Sequence, residues 1–235
     1  MKITDPGKCN ISKAKLAEME KFFREKYIEN GKLAGIQTLI ARKGKIVHFK
    51  STGYRDIENK KKIEKDTIFR IYSMTKPVTS VALMQLFEQG LFQLADPVSK
   101  FLPEFKNPKV FVSGSYPHFM TRPADREISI RDLLTHTAGL TYGFHYRTNI
   151  DHAYRKVWSG PKGDNTDFSF PPLNLDNFSK SIAKLPLEFS PGDKWNYSVA
   201  TDICGRLIEV LSDMTPVSYT HLRAHETGRN LVCRL

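Results

Sequence analysis

Apolar residues near the N-terminus recur at helical spacing. Leu16, Met19, Phe23 and Tyr27 fall three and four residues apart, with Phe22 beside them, and Gly31 is suited to end the helix. The pattern then shortens. Ile36–Arg42 and Lys45–Ser51 are rich in Ile, Val, Thr and Phe, and Lys43-Gly44 between them predicts a tight hairpin turn. A charged loop runs to Asp66, and the β-branched and aromatic run Thr67–Tyr72 predicts a short strand or extended approach.

From there the pattern is helical. Pro77–Gln89 carries Val78, Val81, Ala82 and Leu86 and stops at Gly90. Asp96-Pro97 predicts an N-cap with proline at the first helical position, opening a short helix to Phe101. Ser129 is placed to cap a helix over Ile130–Thr135. Leu175–Lys184 predicts another amphipathic helix, and Ala200–Leu211, with Ile203, Leu207 and Val210 on one face, predicts the last. Between Thr141 and Asn174 the chain reads as one long loop rich in Tyr, Phe, His, Gly and Pro, of the kind used as lids or binding loops. No internal repeat is present.

Past Met214 the apolar period stops. The segment Ser218–Thr227 resembles a translated sequencing adapter, so Pro216–Leu235 is expected to be a non-native tail. His221 and His225 stand four apart, a spacing zinc can use on a helix, but in such a tail the spacing is read as accidental.

Composition narrows the classes. With 40% hydrophobic and 11% aromatic residues the chain has the means to build a core, which excludes a disordered chain. No apolar run approaches the length of a membrane span. The net charge of +11 falls to +9 without the tail, and the lysines at 60, 61, 62 and 65 sit in a polar loop rather than among aromatics, so nucleic-acid binding is not expected. Cys9, Cys204 and Cys233 are odd in number and far apart, so neither a disulfide framework nor a cysteine zinc site is expected. Residues Met1–Asn10 show no apolar leader core, which makes the cytoplasm the default compartment.

The chemistry-bearing motif is Ser73-Met-Thr-Lys76. Three residues are nearly one helical turn, so hydroxyl and amine share a face. Serine is a weak nucleophile until a neighbouring base takes its proton, and a lysine of lowered pKa can do so. About two such Ser-x-x-Lys matches are expected by chance in this composition, and four occur, beginning at Ser12, Ser73, Ser159 and Ser181. Ser73 differs from the others by its context: it follows an extended run and opens an amphipathic helix, with Pro77 fixing the helix start close by.

Three ordered segments raise this to a family resemblance. Thr67–Pro77 resembles the nucleophile segment of the serine β-lactamase-related hydrolases, nearest the class C β-lactamase and esterase branch. Leu133–Leu140 resembles that family's second landmark, and Phe189–Ser198 resembles the third, which ends in its tyrosine. The resemblance implies Ser73 as acyl-forming nucleophile, Lys76 as its base partner and Tyr197 as a second proton-transfer group. It also implies the Ser73 backbone N–H as one oxyanion donor, His136 as a structural loop residue, and no metal or organic cofactor.

Two departures bear on substrate and activity. Where the family often has Tyr-x-Asn, this chain has Tyr197-Ser198-Val199, and valine cannot bind a substrate amide, which turns the expectation from lactams toward esters. The family's late strand, with its His-x-Gly or Lys-Thr-Gly motif, does not occur after Tyr197.

The expected fold is α/β plus all-α, β-lactamase/transpeptidase-like: an antiparallel sheet flanked by helices with an inserted helical domain, the late strands missing. Residues 1–72 hold the first helix and early strands, 73–215 the helical domain with the Ser-x-x-Lys and Tyr motifs, and 216–235 the tail. The expected function is acyl-enzyme hydrolysis of small carboxylic esters, with poor folding and inactivity for this chain as it stands. The alternatives are a β-lactamase or D-Ala-D-Ala carboxypeptidase, and a non-catalytic scaffold or binding fragment. The expected partner is a small-molecule ester or lactam.

Overall fold

A computed structural model describes residues 2–159 and 174–220, and the chain divides into two units, Met1–Arg70 and Ile71–Leu235.

In the first unit Ser12 caps helix α1 (Lys13–Phe23), its side chain accepting from the Lys15 backbone N–H, and the helix runs on through a π-helical turn, Arg24–Ile28. Strands β1 (Gly35–Arg42) and β2 (Lys45–Asp56) form the expected hairpin, and a short β3 (Lys61–Lys62) extends the antiparallel sheet in the order β1-β2-β3. Lys43 and Gly44 both have positive φ, 51° and 69°, the two-residue turn whose twist matches the strands it joins. At the open end of the hairpin Gly35 faces Gly53, and a Cβ on Gly53 would lie 2.4 Å from the Ala34 carbonyl, so only glycine fits. The predicted apolar face of α1 (Leu16, Met19, Phe23, Tyr27) is half-buried, and none of the helix is fully buried. His48, buried on β2, joins the layers: it lies 2.8 Å from Thr38 Oγ1 on β1 and 3.5 Å from Glu20 on α1.

The second unit is mainly helical. Its helices include α2 (Thr75–Glu88), α3 (Ile130–Leu134), α4 (Asn149–Ser159), α5 (Leu175–Ala183) and α6 (Ala200–Ser212). Each contributes fully enclosed apolar residues to one cluster: Leu83 and Leu86, Ile130 and Leu133, Ile150 and Tyr154, Phe178 and Ile182, Ile203 and Leu207. Enclosure of each such side chain stabilises by roughly 1.5–3 kcal/mol, so the core sits here. Tyr219, inside the expected tail, is 3% exposed and belongs to the same cluster.

Four local expectations differ from the structure. Residues Val98–Lys100 form a 3-10 turn with Pro97 itself at the cap position, and Asp96 accepts from the Gln93 N–H instead of capping it. Residues 67–71 form no strand; the chain passes directly into a 3-10 turn, Tyr72–Met74. A hairpin, β4 (Lys109–Ser115) and β5 (His118–Pro123), occupies a stretch with no predicted strand. Gly114, Pro117 and Pro123 mask its alternation in the sequence, and Phe111 and Phe119 hold it across the strands, rings edge to face at 5.8 Å. The expected loop Thr141–Asn174 contains α4, opened by a local capping box: Asp151 N–H donates to Thr148 Oγ1 and Thr148 N–H to the fully buried Asp151 carboxylate, which also accepts from the Arg147 N–H and from Thr141 Oγ1. The rest of that stretch, residues 160–173, lies outside the described residues, as does most of the expected tail. Among the described residues no helix is long and apolar enough to cross a membrane.

Candidate active site

The second and third sequence landmarks are brought together by backbone pairing. Glu188 N–H donates to Gly139 O, Gly192 N–H to Thr137 O, Asn196 N–H to His136 O and Val199 N–H to Thr141 O. Gly139 has φ 80°, and a Cβ there would lie 2.3 Å from the Phe189 carbonyl, so the close approach needs a glycine. Both sides are anchored. β4 pairs with Leu187 (Phe111 N–H to Leu187 O, 2.9 Å), which starts the 188–199 segment in register. On the other side Asp132, 4% exposed, closes a capping box with Ser129, takes a two-pronged bond from Arg126 at 2.6 and 2.9 Å, and accepts from Thr137 Oγ1. Burial opposes ionisation of Asp132, but those hydrogen bonds prevail and hold its pKa at about 2.

This pairing delivers Tyr197 to Ser73 across 124 residues of sequence. Tyr197 Oη donates to Ser73 Oγ at 2.6 Å, and Lys76 Nζ donates to the same oxygen at 3.4 Å. Ser73 is exposed and Lys76 half-buried. Ser73 lies in the Tyr72–Met74 turn at the head of α2, and Tyr72 before it has φ 47°, an unfavourable region for a bulky residue. Such strain persists only where surrounding structure enforces it and is common where a side chain is held out for chemistry. Lys76 Nζ lies against two ring faces, 4.8 Å from the Tyr197 centroid and 5.4 Å from that of Tyr142. Burial raises the pKa of the Tyr197 phenol, but its contacts with Ser73 and Lys76 and the Lys76 charge outweigh this, leaving it below the ordinary tyrosine value.

The three residues singled out in sequence, Ser73, Lys76 and Tyr197, therefore share one hydrogen-bonded group. The competing Ser-x-x-Lys matches have local uses: Ser12 caps α1, and Ser181 Oγ bonds the Asn177 carbonyl within α5. The match beginning at Ser159 extends beyond the described residues. His136 contacts the tyrosine rather than the serine. Its Nδ1 lies 3.2 Å from Ser198 Oγ and its ring 5.0 Å from that of Tyr197. Val199 is fully buried at the start of α6.

Four residues escaped the sequence reading. Tyr142 walls Lys76 and stacks on Phe144 at 4.6 Å. His145 Nε2 donates to the Tyr197 carbonyl at 2.9 Å, a bond that assigns its tautomer. Trp195, 66% exposed, stacks 6.4 Å from the Tyr197 ring. Asp202 lies in the first turn of α6, where enclosure by protein raises its carboxyl pKa to about 6. Tyr142, Phe144 and His145 lie in the stretch read as loop, and only its aromatic content pointed to them.

The sequence profile of the family described as Beta-lactamase matches residues 19–220. Protein Rv1367c of Mycobacterium tuberculosis is 38% identical over 183 residues, covering 78% of this chain and 43% of its own length. Esterase EstB of Burkholderia gladioli is 31% identical over 205 residues, covering 87% and 48%. Among solved structures, EstCE1, described as a hydrolase with promiscuous acyltransferase activity, superposes with a TM-score of 0.72 at 30% identity, covering 91% of this chain and 51% of that one. The chain thus spans about half the length of the relatives it matches.

Proposed function

The chain belongs to the beta-lactamase family of serine hydrolase-like enzymes, with that family's antiparallel sheets flanked by helices, and from this we propose an acyl-enzyme hydrolase for small carboxylic esters, built on Ser73, Lys76 and Tyr197. The observation that carries the proposal is the approach of two proton-handling groups to one serine oxygen, Tyr197 Oη at 2.6 Å and Lys76 Nζ at 3.4 Å.

The steps follow from those positions. Tyr197, once ionised beside the Lys76 ammonium, takes the Ser73 proton as Oγ attacks the ester carbonyl. The Ser73 N–H at the head of α2 stabilises the oxyanion. Collapse expels the alcohol, which leaves with the proton held by Tyr197. Water then repeats the sequence on the acyl-serine and releases the acid. No step calls for a metal or organic cofactor.

Val199 supports esters over β-lactams and D-Ala-D-Ala peptides. With its side chain fully buried, the position two residues after the tyrosine offers no amide-binding group. A second reading, transfer of the acyl group to an alcohol in place of water, is favoured by the likeness to EstCE1. The second oxyanion donor would come from the late strand that the resemblance implies. Loss of one such donor costs about 10²–10³ in rate.

The test is labelling by a fluorophosphonate probe. Label on Ser73 that disappears in Ser73→Ala supports the proposal; label that survives the substitution overturns it. In the full-length protein, a higher kcat/KM on a chromogenic cephalosporin than on a short-chain p-nitrophenyl ester would reverse the substrate order.

A further inference from the structure

We propose that Trp195 sets the specificity of this site for the alcohol half of the ester: its exposed indole takes up a flat aromatic alcohol, so that aryl and benzyl esters are the preferred substrates. The inference rests on the proposed roles of Ser73 and Tyr197 and narrows that reading from small esters in general to one chemical class.

The route by which the alcohol leaves supplies the first support. In the proposed acylation the alcohol oxygen takes the proton that Tyr197 Oη has drawn from Ser73 Oγ, 2.6 Å away. The group carried on that oxygen therefore comes to lie beside the phenol. Three rings border Tyr197: His136 at 5.0 Å, Tyr142 at 5.4 Å and Trp195 at 6.4 Å between centroids. Two of them are already occupied. His136 is half-buried with Nδ1 against Ser198 Oγ, and Tyr142 is buried with Lys76 Nζ over its ring. Trp195 lies within 25° of parallel to the Tyr197 ring and meets His136 edge to face, yet it remains 66% exposed.

An indole left in water forgoes the stabilisation that burial would give it. Its backbone is nevertheless fixed. Asn196, the next residue, is buried; its N–H donates to His136 O at 2.9 Å, its Nδ2 donates to Leu140 O at 2.9 Å, and its Oδ1 accepts from Arg147 Nη2 at 2.8 Å. A held backbone thus presents an open apolar ring one ring away from the reacting oxygens. Preformed ligand walls are built this way, from apolar and aromatic surface with a few polar groups converging on it. An aromatic alcohol gains offset stacking on the indole, whereas a compact alkyl alcohol gains little.

The test compares two acetates that share an acyl group and differ in the alcohol: phenyl acetate, and trifluoroethyl acetate, an activated ester without a ring. Acetylation of Ser73 is followed by mass spectrometry against ester concentration. Trp195→Ala should lower the preference for phenyl over trifluoroethyl acetate by about fivefold, through a higher half-saturating concentration of the phenyl ester, the scale of one lost aromatic contact. Trp195→Phe, which keeps a ring, should restore most of the preference. An unchanged preference in Trp195→Ala would overturn the inference, even if both esters reacted more slowly, because Trp195 would then serve only to support Tyr197.

Acetylation that persists in Ser73→Ala removes the underlying proposal instead. A binding measurement then decides the inference alone. The quenching aromatic alcohol 4-nitrobenzyl alcohol is titrated into the Ser73→Ala protein with and without Trp195→Phe, and tryptophan fluorescence is read. Saturable quenching that requires Trp195 upholds the aromatic site. Quenching that only rises linearly, or saturates equally without Trp195, overturns it.

Discussion

Of the two units of this chain, the one with the more regular sequence pattern is the one with fewer enclosed residues. In residues 1–70 the apolar stripe of α1 and the alternation of β1 and β2 are regular, yet the fully buried apolar residues are Cys9, Val47 and Ile63, and Leu39 stands 52% exposed. From Ile71 onward the pattern is interrupted by glycines, prolines and long polar stretches, yet the large enclosed cluster lies there, as does the whole Ser73–Lys76–Tyr197 group. Regular pattern forecasts which element forms. It does not forecast how much of that element is covered, because coverage depends on what else packs on it.

The largest effects that would sharpen this contrast are chemical. Lys76→Ala and Tyr197→Phe should each slow Ser73 labelling by about 10²-fold or more, the scale of a positioned proton-transfer group. Leu16→Ala on α1 should leave labelling within about twofold. A loss at Leu16 comparable to the loss at Lys76 would break the assignment of the chemistry to the second unit.

Stability should follow the same division. Ile203 is fully buried and Leu16 half-buried. Ile203→Ala is expected to cost about 3–4 kcal/mol in urea unfolding and Leu16→Ala about 1 kcal/mol. Hydrogen exchange should be slowest in α6 and faster in β1; equal protection in both would contradict the contrast.

Next in size is the acid sensitivity of the loop that carries His136. Asp132, with a folded pKa of about 2, lies below the ordinary aspartate value. Its contribution, about 2 kcal/mol, is fully present above about pH 4 and is lost as pH falls through 2. Asp132→Asn should remove that stabilisation at neutral pH and flatten the acid limb of a stability–pH curve. An unchanged limb would show that the Arg126 pair contributes nothing net.

The smallest effect compares two helix caps. Ser129 closes a reciprocal capping box, whereas Ser12 makes a single bond to Lys15 N–H at 3.3 Å on an exposed helix. Ser129→Ala is expected to cost about 1–2 kcal/mol and Ser12→Ala about 0.5 kcal/mol, both read from the shift in the unfolding midpoint.

By itself the sequence determined what is local. The helical periods, the Lys43-Gly44 turn, the Ser129 cap, the family's three landmarks and the Ser73–Lys76 pair one turn apart all depend on neighbours within a few residues, where backbone geometry sets which side chains meet. Tyr197 was legible through resemblance alone, since nothing in its own surroundings pointed to a serine 124 positions earlier. Only the tertiary structure decided the rest. The pairing of residues 136–141 with 188–199, the pairing of β4 with Leu187, the Tyr142 ring against Lys76 and the His145 bond to the Tyr197 carbonyl arise from contacts between distant segments. Such contacts leave no spacing in the chain, because loop closure costs little more as the loop lengthens and so imposes no fixed distance in sequence.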